Sequence, residues 1–105
     1  MQIETLKLFC DVARIGSFSR SAEIHSVTQS TASQAVHGLE KDLGATLIDR
    51  SHRPWRLTPA GKTFYAGCRD LVKRFDHLER RVRRRSAVKK DAANRDTAKL
   101  SAAQG

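Results

Sequence analysis

The chain has 105 residues, 39% of them hydrophobic and 30% charged. Twenty Lys and Arg against 11 Asp and Glu give it a net charge of +9. That length supports one small domain plus a tail and excludes most multi-layer enzymes with a buried cofactor cleft. No run of about 18 apolar residues is present, so nothing in the sequence reads as a membrane-spanning helix. The charge is unevenly placed: residues 1–49 hold four basic and six acidic groups, 50–79 seven and three, and 80–105 nine and two. A polyanion such as nucleic acid is the natural partner of the basic part, with a solubilising tail as the plainer alternative. A membrane surface fits less well, because the basic tail has no Trp, Phe and Leu face. The N-terminus lacks the basic-then-apolar order of a secretory signal. Cys10 and Cys68 are too few for a disulfide framework, so the expectation is a cytoplasmic protein with reduced thiols.

In chain order, Ile3, Leu6, Phe9, Cys10 and Ala13 fall at helical spacing up to Ile15, and Gly16 stops that helix. Ser19 is the expected N-cap of a short helix from Arg20 to about His25, with Ala22 inward. After Ser26-Val27, Thr28 caps a third helix, from Gln29 to about Leu43, ended by Gly44. Its apolar residues, Ala32, Val36, Leu39 and Leu43, step by four, three and four. Ser30, Gln34, His37 and Lys41 each lie two positions earlier, about 200° away around the helix. One side therefore packs on a core, and the opposite side carries compact hydrogen-bonding groups, with Gln29 and Ser33 near its start. A solvated face is usually richer in Glu and Lys.

Thr46–Ile48 and Trp55–Leu57 read as two short strands joined by a polar turn that carries Arg50 and Arg53. Thr58 then caps, and Pro59 opens, another helix. Along it Phe64, Cys68, Leu71, Phe75, Leu78 and Val82 step four, three, four, three, four, the seam of a coiled coil. Helical to about Arg85, this segment is roughly 40 Å long. That is more than three short helices and a hairpin can cover, so the seam predicts a second copy. From Ser86 onward the composition cannot bury a core and reads as disordered.

The fold this layout predicts is mainly α. Residues 1–58 form a winged helix-turn-helix, with the helix pair at about 18–37 and the wing at about 46–57. Residues 59–85 form a dimerising linker helix, and 86–105 a basic disordered tail. In such an arrangement the second helix of the pair enters the major groove of double-stranded DNA with its N-terminal residues at base edges. Gln29 and Gln34 each donate and accept, which suits adenine. Ser30, Thr31 and Ser33 are short enough to let backbone approach, and the electropositive helix start behind Thr28 attracts phosphate. Arg50 and Arg53 reach the adjacent minor groove or backbone, although Asp49 or Glu40 offers Arg50 a structural ion pair instead. Trp55 reads as packing between wing and body, His37 as a DNA contact or a solvated group, and both cysteines as small buried residues.

The pieces Leu6–Phe9, Val12-Ala13, Gly16–Ser19, Ala22, Val27–Gln29, Ser33, Leu39-Glu40, Leu43-Gly44, Leu47, Arg50 and Leu57–Gly61 recur in order at fixed separations. Over roughly residues 3 to 82 the chain resembles the DNA-binding domain of LysR-type transcriptional regulators. The resemblance implies groove-reading roles for Gln29, Ser30, Ser33 and Gln34. It implies backbone contacts by Ser17, Ser19 and Arg20, wing contacts by Arg50 and Arg53, and a homodimer through the helix after Thr58. Gln34 stands where the family often has Arg or His, which shifts the expected base from guanine toward adenine. Ser30 stands where Pro is frequent.

Family members carry a two-lobed effector domain after the linker helix. The expectation for this chain is therefore a fragment, or a truncated or stand-alone regulator, with no small-molecule effector. The implied setting is a bacterial, nucleoid-associated one. Two other readings remain: a non-specific nucleic-acid binder driven by the basic tail, and a pairing module that titrates full-length regulators. His25, His37, His52 and His77 lack ligand spacing, so no metal is expected, and no cofactor loop or catalytic constellation is present.

Overall fold

A computed structural model describes residues 1–86. The elements are α1 (Ile3–Ile15), α2 (Phe18–Ile24), α3 (Gln29–Leu43), β1 (Ile48–Asp49), β2 (Arg56–Leu57) and α4 (Pro59–Gln104). The tail expected over 86–105 lies outside the described residues from 87 on. The chain divides into two units, Met1–Val72 and Lys73–Gly105.

In the first unit, α1 buries Leu8, Phe9 and Val12. Gly16 ends it in the left-handed region at φ 79°, its N–H on the Val12 carbonyl. The N-cap of α2 is Ser17, not Ser19: its Oγ accepts the Arg20 N–H at 3.1 Å. The reversal at Gly16 leaves Ser17 as the first residue in extended backbone (φ −147°, ψ 125°), and starting one residue later carries Phe18 into the core. Ser26, at φ 57°, makes the turn between α2 and α3. Thr28 caps α3 as expected, accepting the Thr31 N–H at 3.0 Å, and Gly44 closes it at φ 64°.

Ala32, Val36 and Leu39 of α3 are fully buried with Phe9, Val12, Leu47 and Ile48. Leu43, expected on the same inner face, is instead exposed, because the helix stops beside it at Gly44. The wing is a minimal antiparallel pair, Ile48 opposite Leu57 and Asp49 opposite Arg56. Its first strand begins later than expected. The Leu47 and Ile48 N–H groups are taken by the Glu40 carboxylate, at 2.7 and 3.1 Å, and the Leu47 carbonyl by the Thr58 N–H at 2.9 Å.

Thr58 caps α4 through the Gly61 N–H at 2.9 Å, while its own hydroxyl donates to the Thr46 carbonyl at 2.6 Å. Gly61 is buried, and a Cβ built there would stand 2.0 Å from the Leu47 carbonyl oxygen. The start of α4 thus seats directly on the backbone leading into the wing. Phe64 packs edge-on against Phe9, ring centroids 5.5 Å apart. Cys68 is 1% exposed, beside Cys10 and the Leu6 carbonyl.

Candidate nucleic-acid interface

The exposed start of α3 carries Gln29, Ser30, Thr31 and Gln34, with Ser33 half-buried. Gln29, Ser30, Ser33 and Gln34 line one open depression of about 430 Å³. The turn before α3 is internally satisfied: Thr28 Oγ1 donates to Thr31 Oγ1 at 2.9 Å besides accepting its N–H. Those two hydroxyls therefore set the helix start more than they offer themselves outward. Ser19, in the first turn of α2, donates to Gln29 Oε1 at 3.0 Å. That bond fixes the Gln29 amide with its NH2 end as the remaining donor group. Ser17 is spent as a cap, and Arg20 stands exposed above it.

Arg50 leaves the end of β1 and folds back onto α3. Its Nη1 donates to Ser33 Oγ at 2.9 Å and meets His37 Nε2 at 2.8 Å, while its Cζ lies 4.9 Å above the Phe18 ring. An arginine N–H on Nε2 places the imidazole proton on Nδ1, and Nδ1 lies 3.4 Å from Glu40 Oε1. Glu40 Oε2 holds the Leu47 and Ile48 amides. A continuous chain of polar contacts therefore runs from the backbone before the wing, through Glu40, His37 and Arg50, to Ser33 on the exposed helix. Neither Asp49 nor Glu40 is bonded to Arg50 directly.

Adjoining the depression, with Gln29 and Ser33 common to both, is a cleft of about 410 Å³ lined also by Phe18, Arg50, His52, Arg53, Pro54 and Trp55. Trp55 backs it, its ring 5.7 Å from that of Phe18, the packing role expected of it. Arg53 is exposed at the wing tip. The Ser51 hydroxyl and amide both donate to Asp49, which holds its carboxyl below the ordinary range, and His52 stands 3.6 Å from it.

The structure thus brings Gln29, Ser30, Ser33, Gln34, His37, Arg50 and Arg53 to one side of the first unit. Phe18 and Glu40 were absent from the expected set. The alternation of buried and polar positions along α3 gives no sign of an arginine stacked on a residue from α2. Glu40 falls between the two faces, and the Leu39-Glu40 piece gives no sign that its carboxylate holds the Leu47 and Ile48 amides.

The expected pairing seam divides. Phe64 and Cys68 turn toward α1 of their own chain, so Cys68 is not available to a second copy. The heptad spacing registers an apolar face without saying which neighbour covers it. Further along, Leu71 in the first unit is 53% exposed. In the second unit Leu78 and Val82 are exposed and Phe75 is half-buried. Among the described residues no cluster of His, Cys, Asp and Glu could hold a metal ion, and no helix is long and apolar enough to cross a membrane.

A sequence model of bacterial regulatory helix-turn-helix proteins of the lysR family matches residues 3–62, more than half of the chain. The chain belongs to the LysR family. It is 36% identical over 86 residues to the uncharacterised HTH-type transcriptional regulator YcgK of Bacillus subtilis, covering 82% of this chain and 26% of that protein. It is 30% identical over 90 residues to the HTH-type transcriptional regulator BenM of Acinetobacter baylyi, covering 86% and 30%. Among solved structures it resembles the BenM DNA-binding domain in complex with catB site 1 DNA, with a TM-score of 0.76 at 29% identity, covering 83% of this chain and 94% of that one. The CbnR DNA-binding domain bound to DNA is similar at a TM-score of 0.72 and 32% identity, covering 82% and 99%. The chain spans between about a quarter and a third of the length of the curated relatives it matches. It therefore carries a LysR-type winged helix-turn-helix DNA-binding domain with the start of a long helix attached.

Proposed function

We propose that this LysR-family chain binds double-stranded DNA sequence-specifically, as a homodimer paired through α4, and regulates transcription by doing so. The observation that carries the reading is the depression lined by Gln29, Ser30, Ser33 and Gln34 at the start of α3. Its groups are short or amide-bearing, and residues 1–49 are net acidic, so attraction by charge cannot account for this face. Hydrogen-bond fit to base edges can. In this reading Gln34 and Gln29 read bases, and Ser30 and Ser33 let the helix approach. Ser17, Ser19, Arg20, Thr28 and Thr31 lie along the flanking phosphates, with His37 beside them. Arg53 reaches from the wing, and Arg50 contributes from its seat on Phe18. The likeness to the BenM and CbnR DNA-binding domains, each solved in complex with DNA, supports DNA binding.

The test is a fluorescence titration against an operator selected from random duplexes and against its scrambled version, at two salt concentrations. The proposal expects a specificity ratio of about 10³ or more. A ratio near one with a steep salt slope would instead establish non-specific binding through the basic segment, where nine basic against two acidic groups fall in residues 80–105.

A further inference from the structure

Cys10 and Cys68 are 58 positions apart in the chain, yet their Sγ atoms lie 3.4 Å apart. Both are free thiols; Cys10 is half-buried and Cys68 is buried. Cys68 Sγ is also 3.4 Å from the Leu6 carbonyl oxygen, which anchors it against α1. Neither thiol belongs to the DNA-facing side, and packing alone requires no pair of sulfurs at this crossing. A disulfide needs the sulfurs at about 2.05 Å, and these two already stand in contact at 3.4 Å.

We propose that Cys10 and Cys68 form an oxidisable dithiol, which a hydroperoxide converts into an intrachain disulfide that clamps the early turns of α4 to α1.

The two thiols have unequal roles. Its pairing with the Cys68 sulfur holds Cys10 below the ordinary thiol range, against its partial burial and the Asp11 charge, with Arg69 assisting. The same pairing, together with burial, pushes Cys68 up. Cys10 is therefore both the more accessible sulfur and the more readily ionised one, the combination that selects an attacking thiolate. Its sulfur attacks one peroxide oxygen. An S–O bond forms, the O–O bond breaks, and the departing hydroxide takes up a proton as water. The Cys68 sulfur then attacks the Cys10 sulfenic acid. An S–S bond forms, the S–O bond breaks, and the Cys68 proton leaves with the hydroxyl as a second water. The sulfur pair loses two electrons, and the peroxide gains them.

The experiment treats the reduced full chain with hydrogen peroxide and follows it by denaturing intact-mass analysis with and without alkylation. The expected product is a monomer lighter by two hydrogens with neither thiol alkylatable, reversed by dithiothreitol and melting at a higher temperature than the reduced chain. Cys68→Ser should stop at a Cys10 sulfenic acid trapped by dimedone, and Cys10→Ser should leave Cys68 unmodified at the same dose. Disulfide-linked dimers, a Cys10 carrying two or three oxygens beside an alkylatable Cys68, or two intact thiols at a dose that oxidises free cysteine would each overturn the proposal.

Discussion

Arg50 illustrates how one side chain joins two elements without an ion pair. Its guanidinium uses a planar edge for Ser33 and His37 and its face for Phe18. A lysine has neither the fork nor the flat face for this geometry. Arg50→Lys should therefore behave nearly as badly as Arg50→Ala, each weakening DNA binding about tenfold for every sequence, or about 1.4 kcal/mol. Titrations on matched and mismatched duplexes check this, and full retention of affinity by the lysine variant would show that charge alone matters. Gln34 makes the opposite prediction. It is exposed on the depression at the α3 start, so Gln34→Ala should relax preference at a single base pair by about 1–3 kcal/mol and leave scrambled DNA unaffected. Arg83, exposed and paired with Glu79 at 3.2 Å, is the contrast: its alanine variant should lower affinity only slightly and equally on all sequences. If Gln34→Ala and Arg83→Ala alter all duplexes alike, α3 does not read bases.

At the scale of elements, α1, α3 and the start of α4 were legible because agreeing signals write each of them: apolar period and the Gly16 stop for α1, period, cap and stop for α3, and the Thr58 cap with the apolar period for α4. Thr28, Gly44 and Pro59 stand where those rules require them. The start of α2 was not, because Ser17 and Ser19 are chemically equal caps and the choice is made by where Phe18 must go. The later start of β1 was hidden for a similar reason. A carboxylate on α3, not a strand, satisfies the Leu47 and Ile48 amides. In the site, the outward face of α3 could be read, whereas Phe18 and Glu40 act through contacts between elements that no local pattern encodes. Glycines expose the same limit. In isolation Gly→Ala in a helix gains about 1 kcal/mol. At Gly38 of α3 nothing lies within 4 Å of the added Cβ, so Gly38→Ala should stabilise by about 0.5–1 kcal/mol. At Gly61 the Cβ would meet the Leu47 carbonyl at 2.0 Å, and backbone cannot yield as a side-chain tip can. The overpacking cost exceeds the propensity gain, and Gly61→Ala should destabilise by about 2 kcal/mol net. Urea unfolding of the two variants should move the midpoint in opposite directions; a stabilised Gly61→Ala would mean that α4 does not seat on the wing backbone.

For the whole molecule, the division of the heptad positions on α4 bears on the proposed pairing. Phe64 and Cys68 serve the chain's own core, and Leu71, Leu78 and Val82 are left exposed on a helix that is otherwise strongly basic. Large apolar side chains kept in water along one helix cost free energy unless a partner covers them. A second copy would supply the same residues in return, as a two-fold interface requires. Leu71→Asp puts a charge on that surface without touching the core, so circular dichroism should be unchanged while sedimentation reports a monomer. Affinity for an operator with two half-sites should then fall by a factor of about 10² or more, because the second half-site no longer binds at the high effective concentration that tethering gives it. Affinity for an isolated half-site should barely change. A variant that keeps dimer mass would remove Leu71 from the interface, and one that is monomeric yet binds the two-half-site operator at full strength would show that pairing contributes nothing to recognition.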